Sequence, residues 1–346
     1  MKRITLCALL ITLFLLLSCG SGTTSAEDPK TTFLNSIANL GKGFLDVFTS
    51  LSDMVSGAFG IKAETKKSDV GKYFSDIEKT MTSVKEKLNT VVTEHGNYPK
   101  VKEVVDKFIT NTLDKIAEGA KTAASGATSS DAIGNATADQ EAVAADAASV
   151  NALVKGIKTI VGVVLKDKGS ADATKTGDDG ENKKDIGKLF SDTKADAKEE
   201  NIAKAAASIG AVSGADVLQA IAKSGDANNN VEINNAKDAA ELAVAKKDSA
   251  TKETKQKDAV IAAGIALRAM AKDGKLAAHN DAKHAHAVNG AAASAVGKTL
   301  STLIIAIRNT VDSGLKTISE ALAAVKQEDK SADSTTPLDV TSGNNK

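Results

Sequence analysis

The sequence predicts an all-α protein, an elongated multi-helix bundle with long variable surface loops, a disordered N-terminal tether and a disordered C-terminal tail. Three observations predict it. Apolar residues recur at three- and four-residue steps through much of the 346-residue chain, the spacing that lines one face of a helix. Aromatic residues make up 3% of the chain and tryptophan is absent, so the aromatic and β-branched alternation of a sheet protein is missing. Alanine and lysine, both good helix formers, are abundant instead.

The chain opens on an export signal. Met1-Lys2-Arg3 supplies positive charge, Ile4 to Leu17 is a nearly unbroken apolar run, and Leu16-Leu17-Ser18-Cys19 closes it. As a helix that run reaches about 21 Å, short of the roughly 30 Å hydrocarbon core, so it makes a poor permanent span. The Leu-x-Ser-Cys ending predicts S-diacylglycerol attachment at Cys19, cleavage between Ser18 and Cys19, and N-acylation of the new terminus. Each buried methylene contributes about 0.8 kcal/mol and one acyl chain holds only marginally, so a multiply acylated cysteine is a fixed anchor in membrane lipid. The competing reading is an ordinary secretory signal beside an incidental cysteine. It does not account for Gly20-Ser21-Gly22-Thr23-Thr24-Ser25, which suits a lipoprotein tether. The expected organisation is signal 1–18, lipidated tether 19–30, one helical domain 31–326 and a disordered tail 327–346.

Charge and cysteine usage narrow the function classes. The chain has 44 basic and 44 acidic side chains, and losing Lys2 and Arg3 with the signal leaves 42 against 44. No field of that kind steers nucleic acid or an anionic surface. Cys7 leaves with the signal and Cys19 is taken by lipid, so the exported body is stabilised by core burial alone.

The helical elements follow in order. Phe33, Ile37, Leu40, Phe44, Leu45, Phe48, Leu51 and Val55 form one stripe, weakened by Gly41, Gly43 and Gly57. Phe74, Ile77, Met81, Val84, Leu88 and Val91 form a heptad seam, capped at Ser68-Asp69 and stopped by His95-Gly96-Asn97 with Pro99. Val101, Val104, Val105, Phe108, Ile109, Leu113 and Ile116 form the next helix, and the short turn between makes the two antiparallel neighbours. Residues 119–140 read as loop or weak helix, and Val143 to Leu165 as a helix. Residues 166–184 read as a second exposed loop. Asp185 to Asp192 then repeats Asp69 to Asp76 at six of eight positions, too short a match to establish a repeat architecture. Short alanine-rich helices over Ile202–Ile209 and Val217–Ile221 part at Ser213-Gly214, before a third polar loop at 225–235. Ala236 to Ala245 reads as helix and Thr251 to Lys257 as a solvated charged run. Asp258 to Met270 reads as a compact helix ended by Asp273-Gly274, with Gly264 marking close approach of a neighbouring backbone. Ala277 to Val296 is built of small residues, and Leu300 to Val325 carries the longest stripe.

Candidate chemistry is sparse. Gly290 to Thr299 has a glycine-lysine-threonine ending, but six residues separate its glycines and no strand precedes it, which favours a small-residue helix contact over a phosphate loop. Asp226, Asn228 and Asn230 are spaced like calcium ligands, yet Val231 stands where the turn needs glycine and Lys237 where a glutamate belongs. His279 and His286 share a helical face while His284 lies off it, so the i, i+4 pair of a helical zinc site is missing. No nucleophile elbow or Cys/His pair appears, and no catalytic residue, cofactor or metal is assigned. The sequence is read as non-enzymatic.

Three stretches carry a resemblance: Leu51-Ser52-Asp53-Met54-Val55 through Gly71-Lys72-Tyr73-Phe74, Lys257 through Lys275 with its Ala-Ile-Ala-Leu-Arg-Ala-Met-Ala-Lys type of segment, and Leu303 through Lys316. With them the chain resembles the variable large proteins of borrelial spirochaetes, related to the Vls-type antigenic variation proteins. The resemblance implies an outer-surface lipoprotein used for antigenic variation, lipidated at Cys19 and anchored in the outer membrane. It implies that host antibodies are the partners and that recombination from silent gene copies alters the antigen. An adhesin binding a host protein or glycan is the alternative, with Lys183, Lys184 and Lys188 as the basic candidates, although Asp178, Asp179, Glu181 and Asp185 interleave with them.

Overall fold

The computed structural model describes residues 29–56, 60–95, 98–177, 181–194 and 197–325. Ser18, Cys19, most of the expected tether and the whole expected tail lie outside the described residues. Helix α1 spans Pro29–Ser56 and begins two residues ahead of the expected tether boundary. Proline at a first helical position loses no hydrogen bond, which makes Pro29 a natural start. The helix passes through Gly41 and Gly43 unbroken, and Phe33, Ile37, Leu40, Phe44, Phe48 and Leu51 are its buried face.

Helix α2 spans Lys67–His95. The Asp69 carboxylate accepts the Lys66 backbone N–H at 3.2 Å, so the expected cap residue works from inside the first turn. Phe74, Ile77, Met81, Val84 and Leu88 are buried as the heptad seam predicts. Helix α3 (Pro99–Phe108) runs through a π turn at Ile109–Leu113 into α4 (Asp114–Ala124). The wider turn accommodates one extra residue, and the adjacent Phe108 and Ile109 both stay buried. The chain is thus helical through the first six residues of the stretch expected as loop or weak helix.

Helix α5 spans Ala147–Val164, with the Asp146 carboxylate accepting the Ser149 N–H at 2.8 Å as its N-cap. Val143, expected to open this helix, is 41% exposed and sits before it, paired with Lys275 in an isolated bridge. Helices α4 and α5 meet at glycines: a Cβ on Gly119 would lie 2.7 Å from the Gly156 carbonyl, and one on Gly156 2.4 Å from the Ala123 nitrogen. Small residues are what allow so short an interaxial distance.

The second half consists of shorter pieces around one buried helix. They are α6 (Glu181–Lys184) with a 3₁₀ turn at Asp185–Phe190, α7 (Glu199–Ala211), α8 (Gly214–Lys223), a 3₁₀ turn at Ile233–Asn235, and α9 (Ala239–Val244). Helix α10, Asp258–Met270, is buried at every residue and packs against α7, α8, α9 and the final helix. A helix apolar on all sides belongs inside. Gly264 does meet a close neighbour, since a Cβ there would lie 2.8 Å from Leu242 Cδ2, although the contact is a side chain rather than the expected backbone. Ser213 caps α8 and splits it from α7 where expected, its hydroxyl accepting the Asp216 N–H at 3.1 Å.

The small-residue stretch and the last stripe form one 42-residue helix, α11, Ala282–Ala323. At 1.5 Å per residue it is about 63 Å long. Its first half packs on α7, α8 and α10, and its second half on α1 and α3. It is the spine shared by both halves. By length and composition α5 and α11 could cross a membrane, but their apolar residues, such as Leu153, Ile157, Leu303 and Ile307, are buried against other helices. Among the described residues there is no strand, only isolated bridges.

The internal echo does not repeat an element. Asp69 to Asp76 opens α2, whereas Asp185 to Phe190 is a 3₁₀ turn. What recurs is the contact pattern: Val70 and Ile186 are buried, as are Phe74 and Phe190, and both glycines press on backbone.

Candidate functional site

Charged side chains hold the helix ends and the loops that spring from them. The last carbonyls of a helix lack partners and carry the negative end of its dipole, so a cation there does two jobs. Lys30 donates to the Ala323 and Val325 carbonyls at 3.1 and 3.0 Å, tying the start of α1 to the end of α11. Lys298 closes α7 through the Ile209 and Val212 carbonyls at 2.5 and 2.6 Å. Lys67 closes α10 through Ala271 and Gly274 at 2.6 and 2.8 Å. Arg268 closes α9, with Nε on the Ala243 carbonyl at 2.8 Å and Nη2 on that of Ala245 at 2.7 Å. Its guanidinium also lies 4.8 Å from the Phe190 ring centroid.

Asp258 does the converse at the start of α10. Its carboxylate accepts the Lys175 and Thr176 backbone N–H groups at 2.6 and 2.9 Å, and the Ser208 and Thr176 hydroxyls at 2.8 Å each. Burial pushes this carboxyl up, but those hydrogen bonds outweigh it and hold it below the usual carboxylate range. The stretch expected as a free loop at 166–184 is therefore pinned at Thr174–Thr176. Lys166 to Ser170 is its continuously exposed run.

Lys183 departs most from expectation. It is 4% exposed, donates to Thr174 Oγ1 at 2.5 Å and the Gly177 carbonyl at 2.6 Å, and lies 3.8 Å from Asp258. Lys188 pairs with Asp185 at 3.2 Å and Lys184 approaches Glu253 at 4.0 Å. The three lysines proposed as a glycan-binding set thus do not form one exposed basic patch. The run at Thr251–Lys257, expected to be a solvated face, also turns inward at Thr254, which is 1% exposed.

The other sequence candidates separate in space. His279 precedes α11 and its ring packs edge-on against that of His284, centroids 5.1 Å apart, while His286 is exposed. The helix begins only at Ala282, so the face assumed to join His279 and His286 does not exist. The Asn228 side-chain amide bonds the Asp226 carbonyl at 3.3 Å, and Asn230 has a positive φ of 71°, a polar turn. Among the described residues no group of three or more His, Cys, Asp or Glu is arranged to hold a metal ion. Gly290 to Thr299 is interior α11, with Lys298 committed to α7.

Sequence reading missed the roles of Lys67, Lys298 and Arg268. A signal was present for the last, because Asp258 and Arg268 are the two charges in the otherwise uncharged Asp258–Met270 helix. Charges inside an apolar run are kept where they have partners.

Lys67 makes a testable case. Burial lowers its ammonium to about 8 from an ordinary value of 10.5. Between those values the unfolded chain holds a proton that the folded chain has released, so this residue makes unfolding free energy rise with pH. The stabilising contribution is complete above the unfolded value and lost as pH falls through about 8. Tyr73, buried and raised, acts in the opposite sense above about 10. Urea unfolding of the parent and Lys67→Met between pH 8 and 10 is expected to give a steeper rise in the parent. Equal slopes would show that Lys67 does not titrate in this range.

Comparison with known proteins places this architecture. A family model described as Borrelia lipoprotein matches residues 44–322. The chain is 64% identical over 344 residues to Variable large protein 4 of Borrelia hermsii, covering 96% of this chain and 97% of that protein. It is 60% identical over 350 residues to Variable large protein 17 of the same organism, covering 98% and 97%. Among solved structures it is similar to the Lyme disease variable surface antigen VlsE of Borrelia burgdorferi, with a TM-score of 0.67 and 35% identity, covering 84% of this chain and 99% of that one.

Proposed function

The chain belongs to the Borrelia lipoprotein family, and on that premise we propose that it is an outer-membrane lipoprotein, anchored at Cys19 and facing the cell exterior. There it serves as a variable antigen that lets the cell evade host antibody. The work is display, and the family is one of surface antigens rather than enzymes.

The observation that carries this reading is the way the two ends of the helical body meet. Lys30 ties the first turn of α1 to the last carbonyls of α11. Pro29 follows Cys19 by ten residues, which span at most about 35 Å when extended. A lipid at Cys19 therefore holds that end of the bundle near the bilayer, while α11 runs about 63 Å away from it. The contacts at loop roots fit the same purpose. Asp258 and the cations at helix ends fix where a loop leaves the core, leaving tips such as Lys166–Ser170 and Asn228–Asn230 exposed. Surface tips tolerate exchange that a packed core does not. The adhesin alternative loses one of its three basic candidates with the burial of Lys183.

Trypsin applied to intact cells is expected to remove the body of the protein while a periplasmic control survives. Cys19→Ser is expected to move the chain from the membrane fraction to the soluble one. Survival of the native chain under trypsin, or membrane retention of Cys19→Ser, would reject the proposal.

A further inference from the structure

Arg268 is 0% exposed, and its hydrogen-bond partners are all neutral carbonyls. Nε and Nη2 are well placed, but Nη1 reaches only the Lys275 carbonyl at 3.5 Å, beyond the normal hydrogen-bond range. Beside it lies a small half-open pocket lined by Ile133, Asn135, Lys275, Leu276, Val288 and Asn289 as well as Arg268. The pocket has room for about one water-sized body. A second buried cation, Lys67, is close enough to repel Arg268. Asp131 and Asp273 offset the charge of Lys67, and burial lowers Arg268.

A buried cation without an anionic partner is costly, and a monatomic anion removes that cost without demanding directional contacts. From these features we infer that the pocket binds one halide-sized inorganic anion, chloride, against Nη1 of Arg268. The Asn135 amide, now reaching the Gly274 carbonyl at 3.3 Å, stands at the pocket as a second donor. The aliphatic walls of Ile133 and Val288 set the size limit. Chloride fits, and a polyatomic carboxylate such as gluconate does not. The anion joins the 131–136 loop, the end of α10 and the first half of α11, so binding stabilises the folded chain by mass action.

Thermal unfolding of the mature protein in sodium chloride and sodium gluconate at equal ionic strength tests the inference. The midpoint is expected to be about 2 °C higher in chloride. Asn135→Asp, which tethers a carboxylate at the pocket, is expected to abolish the difference. Crystals soaked in bromide are expected to show an anomalous peak against Nη1 of Arg268, a readout that does not depend on a variant folding. Equal midpoints for the parent in the two salts, or a pocket without anomalous signal, would overturn the inference and leave water as the occupant.

Discussion

Arg268→Met is expected to destabilise the protein by about 2 kcal/mol, seen as a fall in the urea midpoint with an unchanged slope. Two strong bonds to the Ala243 and Ala245 carbonyls disappear, at 2.8 and 2.7 Å, at a residue that is 0% exposed. A buried acceptor left without a donor costs about 1–3 kcal/mol, and loss of the cation over Phe190 adds about 1. Removing a buried charge works the other way. Burial already lowers Arg268 to about 9, so part of the loss is offset. The loss still wins because the Ala245 carbonyl is left without a donor and the Phe190 contact goes with it, although the Ala243 carbonyl keeps the Ala145 N–H at 3.2 Å. Arg268→Lys should recover less than half of the loss, since one ammonium cannot reproduce the planar fork that spans separate carbonyls. An unfolding free energy within about 0.5 kcal/mol of the parent for Arg268→Met would mean that α9 can end without this cap.

Gly71→Ala is expected to cost about 3 kcal/mol, whereas Gly162→Ala is expected to stabilise by about 0.5–1. Both are glycines inside helices, where alanine is the better helix former, so local propensity predicts the same sign for each. Their surroundings reverse one of them. A Cβ on Gly71 would sit 2.2 Å from the Ala127 carbonyl oxygen and 3.2 Å from that of Ala124. Both atoms are backbone, and moving them displaces the end of α4 from α2. A Cβ on Gly162 would meet nothing within 4 Å. Chemical denaturation of the two variants side by side checks the contrast, and matching signs would show that the α2–α4 contact yields more easily than its spacing implies.

Much of the fold was legible because helical periodicity is local. The stripes in α1 and α2 emerged as buried faces, with Leu88 fully covered, and the chain breaks at Ser213 where two helices were expected to part. The continuity of α11 was not legible. From His284 to Val296 its sequence is largely alanine, glycine and other small residues, which leave no apolar stripe to read. That part is held by α7, α8 and α10 packed on it, contacts far away in sequence. Lys183 misled for a related reason. A lysine in a charged run is ordinarily solvated, and only folding brings Asp258, 75 residues later in the chain, to within 3.8 Å.

The sequence by itself determined the helical class and the faces of the longer helices, and it carries the apolar run before Cys19 on which the proposed anchor rests. These depend on residues three or four apart, or on one uninterrupted stretch. Tertiary structure decided which charges are buried and what they hold. Lys67 closes α10 from 204 residues away, and Arg268 closes α9 from 23 to 26 away. A helix-end carbonyl acquires its cation only when two elements are packed together, and no spacing within either element records that meeting.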